Sequence, residues 1–218
     1  MRFDSQFIKE KLKSYEFSIF IILLFHVSGL IGLQTSSRDW FLALTPLNLL
    51  VSFIAMFRHE NYRNLTLLSF TMLIFLLGFL VEVAGVNTGL VFGAYRYGPV
   101  LGLKFFNTPL MIGVNWFVMV FCIGVVVEKT KFPTVVKALL GAGIMVVSDY
   151  IIEPVAIAYD FWTWSDAVVP FQNYAAWYLF SFLFLLIFYR FDIEKNNKVA
   201  PWLLCTQIVF FLTLNLLL

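Results

Sequence analysis

The chain has 218 residues, of which 61% are hydrophobic and only 13% are charged. This composition lies outside the usual range of soluble domains and predicts an integral membrane protein. The formal net charge of +2 does not indicate a nucleic-acid-binding surface, and we expect no nucleic-acid partner.

Seven charge-poor apolar runs follow one another along the sequence. One bilayer crossing needs about 20 predominantly apolar residues, and the runs approach that length. They predict an all-α, polytopic membrane protein of about seven transmembrane helices, which forms a single domain over residues 1–218. The predicted helices are Phe17–Leu33, Trp40–Phe57, Leu65–Val86, Pro109–Val127, Val135–Ile152, Tyr174–Tyr189 and Val199–Leu218.

The Lys and Arg residues divide unequally between the two ends of these helices. With the N-terminus in the cytoplasm, 12 of the 15 fall in cytoplasmic segments, and only Arg38, Arg96 and Lys104 lie outside. Cytoplasmic loops are enriched in Lys and Arg, so this division predicts a multi-pass protein of the cell inner (cytoplasmic) membrane with a cytoplasmic N-terminus. The cytoplasmic set is Arg2, Lys9, Lys11, Lys13, Arg58, Arg63, Lys129, Lys131, Lys137, Arg190, Lys195 and Lys198.

The third predicted helix carries a lone carboxylate, Glu82, about one turn before its outer end. An ionisable group inside a membrane is costly unless it faces a partner or a water-filled cavity. Glu82 is therefore a candidate functional residue. The alternative interpretation is a structural ion pair between Glu82 and Arg96.

The connection to the fourth helix contains Tyr95-x-Tyr97, and the fourth helix contains Asn115 and Trp116. Tyrosine is also common in the aromatic belt at a membrane interface, and a buried Asn can simply bridge two helices. Both the functional and the structural interpretation stay open at these positions.

The fifth predicted helix ends in the strongest chemical signal of the chain. Asp149 and Glu153 are four residues apart and so share one helical face. Two neighbouring carboxylates repel each other, and partial burial also disfavours their charge, so one of them is expected to retain a proton. Such a group is a proton donor at neutral pH.

A second aromatic group follows these acids. Trp162-x-Trp164 lies in the next outer loop, and Asn173 and Trp177 begin the sixth helix. Tryptophan at an interface is usually an anchor, but the four aromatic residues within Tyr159–Trp164, next to three acids, exceed what anchoring needs. The sequence contains no histidine cluster and no Asp-rich box, so we expect neither a metal nor another cofactor.

At these residues the chain resembles the membrane family of carotenoid biosynthesis proteins that includes the CruF-type carotenoid 1,2-hydratases and the archaeal bisanhydrobacterioruberin hydratases. The resemblance implies addition of water to the terminal ψ-end C1–C2 double bond of an acyclic or monocyclic carotene, which gives a tertiary alcohol. It covers the region from residue 82 to residue 177. The matching pieces are Glu82-x-x-Gly85, Thr88-Gly89, Phe92-Gly93-x-Tyr95-x-Tyr97, Pro109, Asn115-Trp116, Asp149, Glu153-Pro154-x-Ala156, Trp162-x-Trp164, and Pro170 through Asn173 to Trp177.

Hydration of such an alkene needs a proton donor, a stabilised tertiary cation and a placed water molecule, and it needs no metal or nucleotide. We assign Asp149 as the acid and either Glu82 or Glu153 as the group that orients water. Aromatic faces can stabilise the cation, and the two asparagines can hold water or a carboxylate. The candidate substrate-binding residues are Tyr95, Tyr97, Asn115, Trp116, Trp162, Trp164, Asn173 and Trp177.

The alternative function is a membrane carotenoid- or lipid-binding or transport protein with proton-coupled carboxylates. It is based on a weak parallel repeat, because the third and fourth helices with their connection resemble the fifth and sixth. Under either function, we expect the partners to be a carotenoid dissolved in the bilayer and the membrane lipids themselves.

Overall fold

A computed structural model describes residues 14–61 and 63–218. Arg2, Lys9, Lys11 and Lys13, which contribute to the predicted orientation, lie outside the described residues. The described residues form eight helices: α1 Tyr15–Leu33, α2 Arg38–Ala43, α3 Thr45–Phe57, α4 Leu65–Thr88, α5 Leu110–Glu128, α6 Thr134–Ala158, α7 Phe171–Arg190 and α8 Ala200–Leu217. They also form four short strands: β1 Tyr95–Tyr97, β2 Lys104–Phe105, β3 Thr108–Pro109 and β4 Trp162–Trp164.

Six of these helices, α1 and α4 to α8, are long and apolar enough to cross a membrane. The chain is therefore an all-α, multi-pass membrane protein, which confirms the predicted fold class. The predicted second span, Trp40–Phe57, is divided at Leu44 into α2 and the 13-residue α3. Pro46 explains the break, because proline lacks the backbone N–H that would bond to the preceding turn but fits the first turn of a new helix.

Helices α2 and α3 together bring the chain back along α1. Near the beginning of α1, the Ser18 hydroxyl lies 2.8 Å from Nε2 of His59, which follows α3. At the other end of α1, the Phe41 ring of α2 packs directly on Gly32, where it leaves no space for a Cβ atom. The pair thus takes the path that the sequence predicted for a single second span.

The central helix of the bundle is α5. Every side chain from Trp116 to Val125 is buried, and α5 packs against α3, α4, α6, α7 and α8. The close approach to α4 depends on Gly78, because a Cβ atom there would lie 2.5 Å from Cβ of Trp116. The outer helices present exposed apolar side chains such as Leu80, Val147 and Leu179, as expected for surfaces that face lipid.

Two loops that are distant in the sequence meet over one end of the bundle. Strand β1, between α4 and α5, pairs antiparallel with β4, between α6 and α7. The backbone N–H of Gly98 extends this pairing to the Phe161 carbonyl at 2.9 Å, and the Asp160 carbonyl leaves no space for a Cβ at Gly98. The sequence did not predict these strands. Their pairing covers the ends of α4, α5, α6 and α7.

Candidate active site

A cavity lies beneath the paired strands, at the covered ends of these four helices. It encloses about 1020 Å³ between its lining atoms, including its open mouth. We call it the acidic cavity because Glu82, Asp149 and Glu153 line it. All eleven candidate residues named from the sequence line this one cavity, so the structure brings together the candidate residues from 82–116 and those from 149–177. The eight others are Tyr95, Tyr97, Asn115, Trp116, Trp162, Trp164, Asn173 and Trp177.

The paired strands β1 and β4 form a roof of four aromatic rings, which we call the aromatic ribbon. Tyr95 is opposite Trp164 and Tyr97 is opposite Trp162. Because successive side chains of a strand point to opposite faces, all four rings share the face towards the cavity. The ring centroids of Tyr95 and Trp164 are 5.0 Å apart, and those of Tyr97 and Trp162 are 6.1 Å apart.

Arg96 is the middle residue of β1 and lies on the other face of the aromatic ribbon, where its side chain is exposed. The alternative interpretation, an ion pair between Glu82 and Arg96, is therefore wrong. The hydrogen-bond partners of Glu82 are aromatic side chains instead.

Glu82 is buried and accepts three hydrogen bonds. The hydroxyls of Tyr95 and Tyr97 donate to Oε2 at 2.5 and 2.7 Å, and the indole Nε1 of Trp116 donates to Oε1 at 3.0 Å. Burial, followed by the negative charge of Glu82, raises the pKa of both tyrosines, so that they remain protonated donors. Glu82 thus holds the Tyr side of the aromatic ribbon and has no oxygen without a donor.

Glu153 holds the other side of the aromatic ribbon. The indole nitrogens of Trp162 and Trp164 both donate to its Oε2, each at 3.0 Å. Its Oε1 has no hydrogen-bond donor among the described residues. Helix α6 continues through Pro154 to Ala158, beyond the predicted end at Ile152, and keeps Glu153 inside the helix.

Asp149 has the fewest donors of the three acids. Nδ2 of Asn173 donates to its Oδ2 at 2.7 Å, while its Oδ1 has no donor among the described residues. Asp149 and Glu153 lie one helical turn apart on α6, and both are buried. Asn173 comes from the first turn of α7, so the hydrogen bond also joins these two helices.

Among the residues that the structure describes, none of those lining the cavity supplies a cation to compensate the three acids. The described residues that line the acidic cavity include no Lys, Arg or His. Three carboxylates in an apolar surrounding cannot all be ionised, because burial and mutual repulsion both oppose it. Hydrogen-bond donors stabilise the ionised form. The arrangement therefore favours an ionised Glu82, which has three donors, and a protonated Asp149, which has one.

The inner wall of the cavity is formed by Trp116 and Trp177, which stack with their centroids 4.2 Å apart and an interplanar angle of 14°. Asn115 lies beside them, half-buried, and its amide makes no hydrogen bond to a described residue. The cavity thus combines a large aromatic surface with a few polar groups.

Sequence reasoning missed several lining residues, of which Gln207 of α8 is the most informative. It is only 8% exposed, and its Oε1 has no hydrogen-bond partner among the described residues. A polar side chain in an otherwise apolar span is a signal for function, and Gln207 carried that signal in the last predicted helix. Within residues 14–61 and 63–218, no group of three or more His, Cys, Asp and Glu is arranged to hold a metal ion, and this includes the three acids of the acidic cavity.

Two comparisons with known proteins found a match. A family model described as "Carotenoid biosynthesis protein" matches residues 43–218. The bisanhydrobacterioruberin hydratase of Haloarcula japonica is 28% identical over 149 residues, which cover 61% of this chain and 49% of that protein. The chain thus spans about half the length of this curated relative. No solved structure matches the chain.

Proposed function

The chain belongs to the family of carotenoid biosynthesis proteins, and on that premise we propose that it is a carotenoid hydratase. The proposed reaction adds water to the terminal ψ-end C1–C2 double bond of an acyclic or monocyclic carotene and gives a tertiary alcohol. The observation that carries this proposal is a set of three acids with unequal numbers of hydrogen-bond donors in a largely aromatic cavity. The name of the Haloarcula japonica relative supports the same reaction type.

The first step is protonation of the alkene by Asp149. The π-electron pair of the C1–C2 bond forms a new C2–H bond with the carboxyl proton, and C1 becomes a tertiary cation. An acid that keeps its proton in an apolar site suits this step, because alkenes are weak bases. Asp149 fits best, since a single donor stabilises its ionised form.

The aromatic ribbon would stabilise the cation at C1. Aromatic faces attract a cation through their quadrupole and do not capture it as a nucleophile would. The hydroxyls of Tyr95 and Tyr97 point to Glu82 and are protonated, so they do not compete with water for the cation. In this proposal Glu82 is a positioning residue, because both of its oxygens are engaged by protein donors.

The second step is attack of water on C1, assisted by Glu153. Its free Oε1 would accept a proton from the water while the oxygen bonds to C1. Asp149 and Glu153 are separated by about 6 Å along the helix axis, a spacing that lets two adjacent carbons lie between the two groups. Transfer of the proton from Glu153 back to Asp149 restores the starting state, so atoms and charge balance over the cycle.

Pigment analysis tests the proposed function. Expression in a host that accumulates lycopene, an acyclic carotene with two ψ-ends, should convert part of the pigment to a more polar tertiary alcohol. A carotenoid-binding or transport protein with proton-coupled carboxylates would leave the pigment composition unchanged. That result would favour the alternative function over the hydratase.

We also propose that the protein lies in the inner (cytoplasmic) membrane of the cell and that its N-terminus is in the cytoplasm. Asp166 and Asn196 are both exposed and lie at opposite ends of α7. In a Cys205→Ser background, which removes the exposed native thiol, an impermeant maleimide should label Asp166→Cys from outside and should not label Asn196→Cys. Labelling of Asn196→Cys alone would reverse the proposed orientation.

A further inference from the structure

A second cavity adjoins the acidic cavity and takes no part in the chemistry proposed above. It lies among α1, α2, α3 and α8 and encloses about 1400 Å³ between its lining atoms, including its open mouth. Five residues line both cavities, so the two spaces share one wall. The shared residues are Thr45, Leu49, Phe161, Gln207 and Phe211.

The second cavity is lined mostly by apolar side chains, and several of these are exposed. Leu24 of α1, Trp40 of α2 and Leu47 of α3 line it and are 45%, 61% and 46% exposed. In a membrane, these exposed side chains of α1, α2 and α3 would contact lipid. A hydrophobic ligand could therefore pass from the lipid into this space without entering water.

The shared wall contains an unpartnered buried polar group. Gln207 lines both cavities, and its buried Oε1 has no hydrogen-bond partner among the described residues. Buried acceptors in proteins are nearly always satisfied by a partner. In the proposed hydratase, the Gln207 side chain would accept a hydrogen bond from water, the co-substrate, at the boundary between the two cavities.

We propose that the second cavity binds the polyene chain of the carotene next to its reacting end. This inference rests on the proposed function, since it assigns the reacting end to the acidic cavity. A carotene is a long, rigid hydrocarbon, so the part beyond the reacting end needs an apolar path out of the bundle. Exposing that part to water would cost about 25 cal/mol for each Å² of its apolar surface, whereas the second cavity leads it into lipid.

Gly29 offers a position at which the second cavity can be filled. A Cβ atom there meets the Phe210 ring at an ordinary 3.6 Å, so Gly29→Ala should be tolerated, while Gly29→Phe places a ring in the cavity. Gly143 is a matched control, because nothing lies within 4 Å of its Cβ position. Gly143→Phe adds the same ring to the same kind of helix without entering either cavity.

The probe is lycopene bound to detergent-purified protein and measured by its absorption after gel filtration. We expect Gly29→Phe to weaken lycopene binding about tenfold or more, a loss readily resolved in a titration. Gly143→Phe should bind as the wild type does. Equal binding by Gly29→Phe and the wild type would overturn the assignment of the second cavity.

A second measurement avoids dependence on the folding of Gly29→Phe. Ser28 lines the second cavity, so Ser28→Cys in the Cys205→Ser background places a thiol there that can be modified after purification. Bound lycopene should slow the reaction of this thiol with a bulky methanethiosulfonate, and prior modification should block lycopene binding. An unchanged reaction rate in the presence of bound lycopene would contradict the proposal.

The two proposals fail in different ways. Suppose that the protein hydrates lycopene and that Gly29→Phe equals the wild type in both lycopene binding and activity. The second cavity is then not the polyene site, and the hydratase function stands. If lycopene protects the thiol at position 28 but is never hydrated, the polyene site stands and the hydratase function fails.

Discussion

Asp149→Asn should reduce carotene hydration by about 10²- to 10⁴-fold, the range attributed to general acid catalysis. The amide keeps the size of the carboxyl group and can still bond to Asn173, but it has no proton acidic enough for an alkene. Lycopene binding should remain within a few-fold of the wild-type value, since the change leaves the apolar walls intact. Turnover of lycopene by purified protein, with binding measured on the same sample, separates these two effects.

Asp166→Asn is the control for this variant. Asp166 is exposed in the loop after β4 and does not line the acidic cavity. Asp166→Asn should therefore hydrate lycopene at nearly the wild-type rate. If Asp149→Asn is folded, binds lycopene and hydrates it as fast as Asp166→Asn does, then Asp149 is not the acid.

Glu153→Gln and Glu82→Gln should both lose activity but should differ in stability. In Glu153→Gln, the amide oxygen can take the place of Oε2 and still accept from Trp162 and Trp164, while its NH₂ faces the cavity. The fold is then preserved, but the base that accepts the proton of water is lost. We expect a fall in kcat of about 10²-fold or more with little change in melting temperature.

Glu82→Gln cannot be accommodated in the same way, because both oxygens of Glu82 accept hydrogen bonds from buried donors. One amide end must then present N–H groups to Tyr95 and Tyr97 or to Trp116. Each buried donor left without an acceptor costs about 1–3 kcal/mol, so the melting temperature should fall by several degrees. If the two variants show equal melting temperatures and equal activity losses, the distinction between base and positioning residue is wrong.

The sequence predicted the helices because membrane spans leave a strong signal. A run of about 20 apolar residues is long enough to cross the hydrocarbon core of a bilayer, and the long helices α4 to α8 lie where such runs occur. The division of the second predicted span at Leu44 was missed, since hydropathy averages over Pro46 and does not register the lost backbone donor.

The candidate site residues were found because acids and paired aromatics are rare in apolar segments and costly without a role. Their arrangement was not predictable. The pairing of Tyr95–Tyr97 with Trp162–Trp164 joins two loops separated by α5 and α6, and strands of three residues leave no periodic pattern. The assignment of Tyr donors to Glu82 and Trp donors to Glu153 follows from that pairing and could not be deduced before it.

The second cavity could not be predicted from the sequence either. Most of its lining residues belong to α1, α2, α3 and α8, which lie outside the region from residue 82 to residue 177 and have the composition of ordinary lipid-facing helices. The space between these helices results from how they pack. Because this space adjoins the acidic cavity, Gln207 lines both cavities.

The most direct test of the central claim follows the atoms of water into the product. Purified protein supplied with lycopene in ¹⁸O-labelled heavy water should yield a tertiary alcohol with one ¹⁸O at C1 and one deuterium at C2, detected by mass spectrometry and NMR. Asp149→Asn should yield almost none of this product. Unchanged lycopene with the wild-type protein, or a hydroxyl oxygen derived from O₂, would contradict acid-catalysed hydration in the acidic cavity.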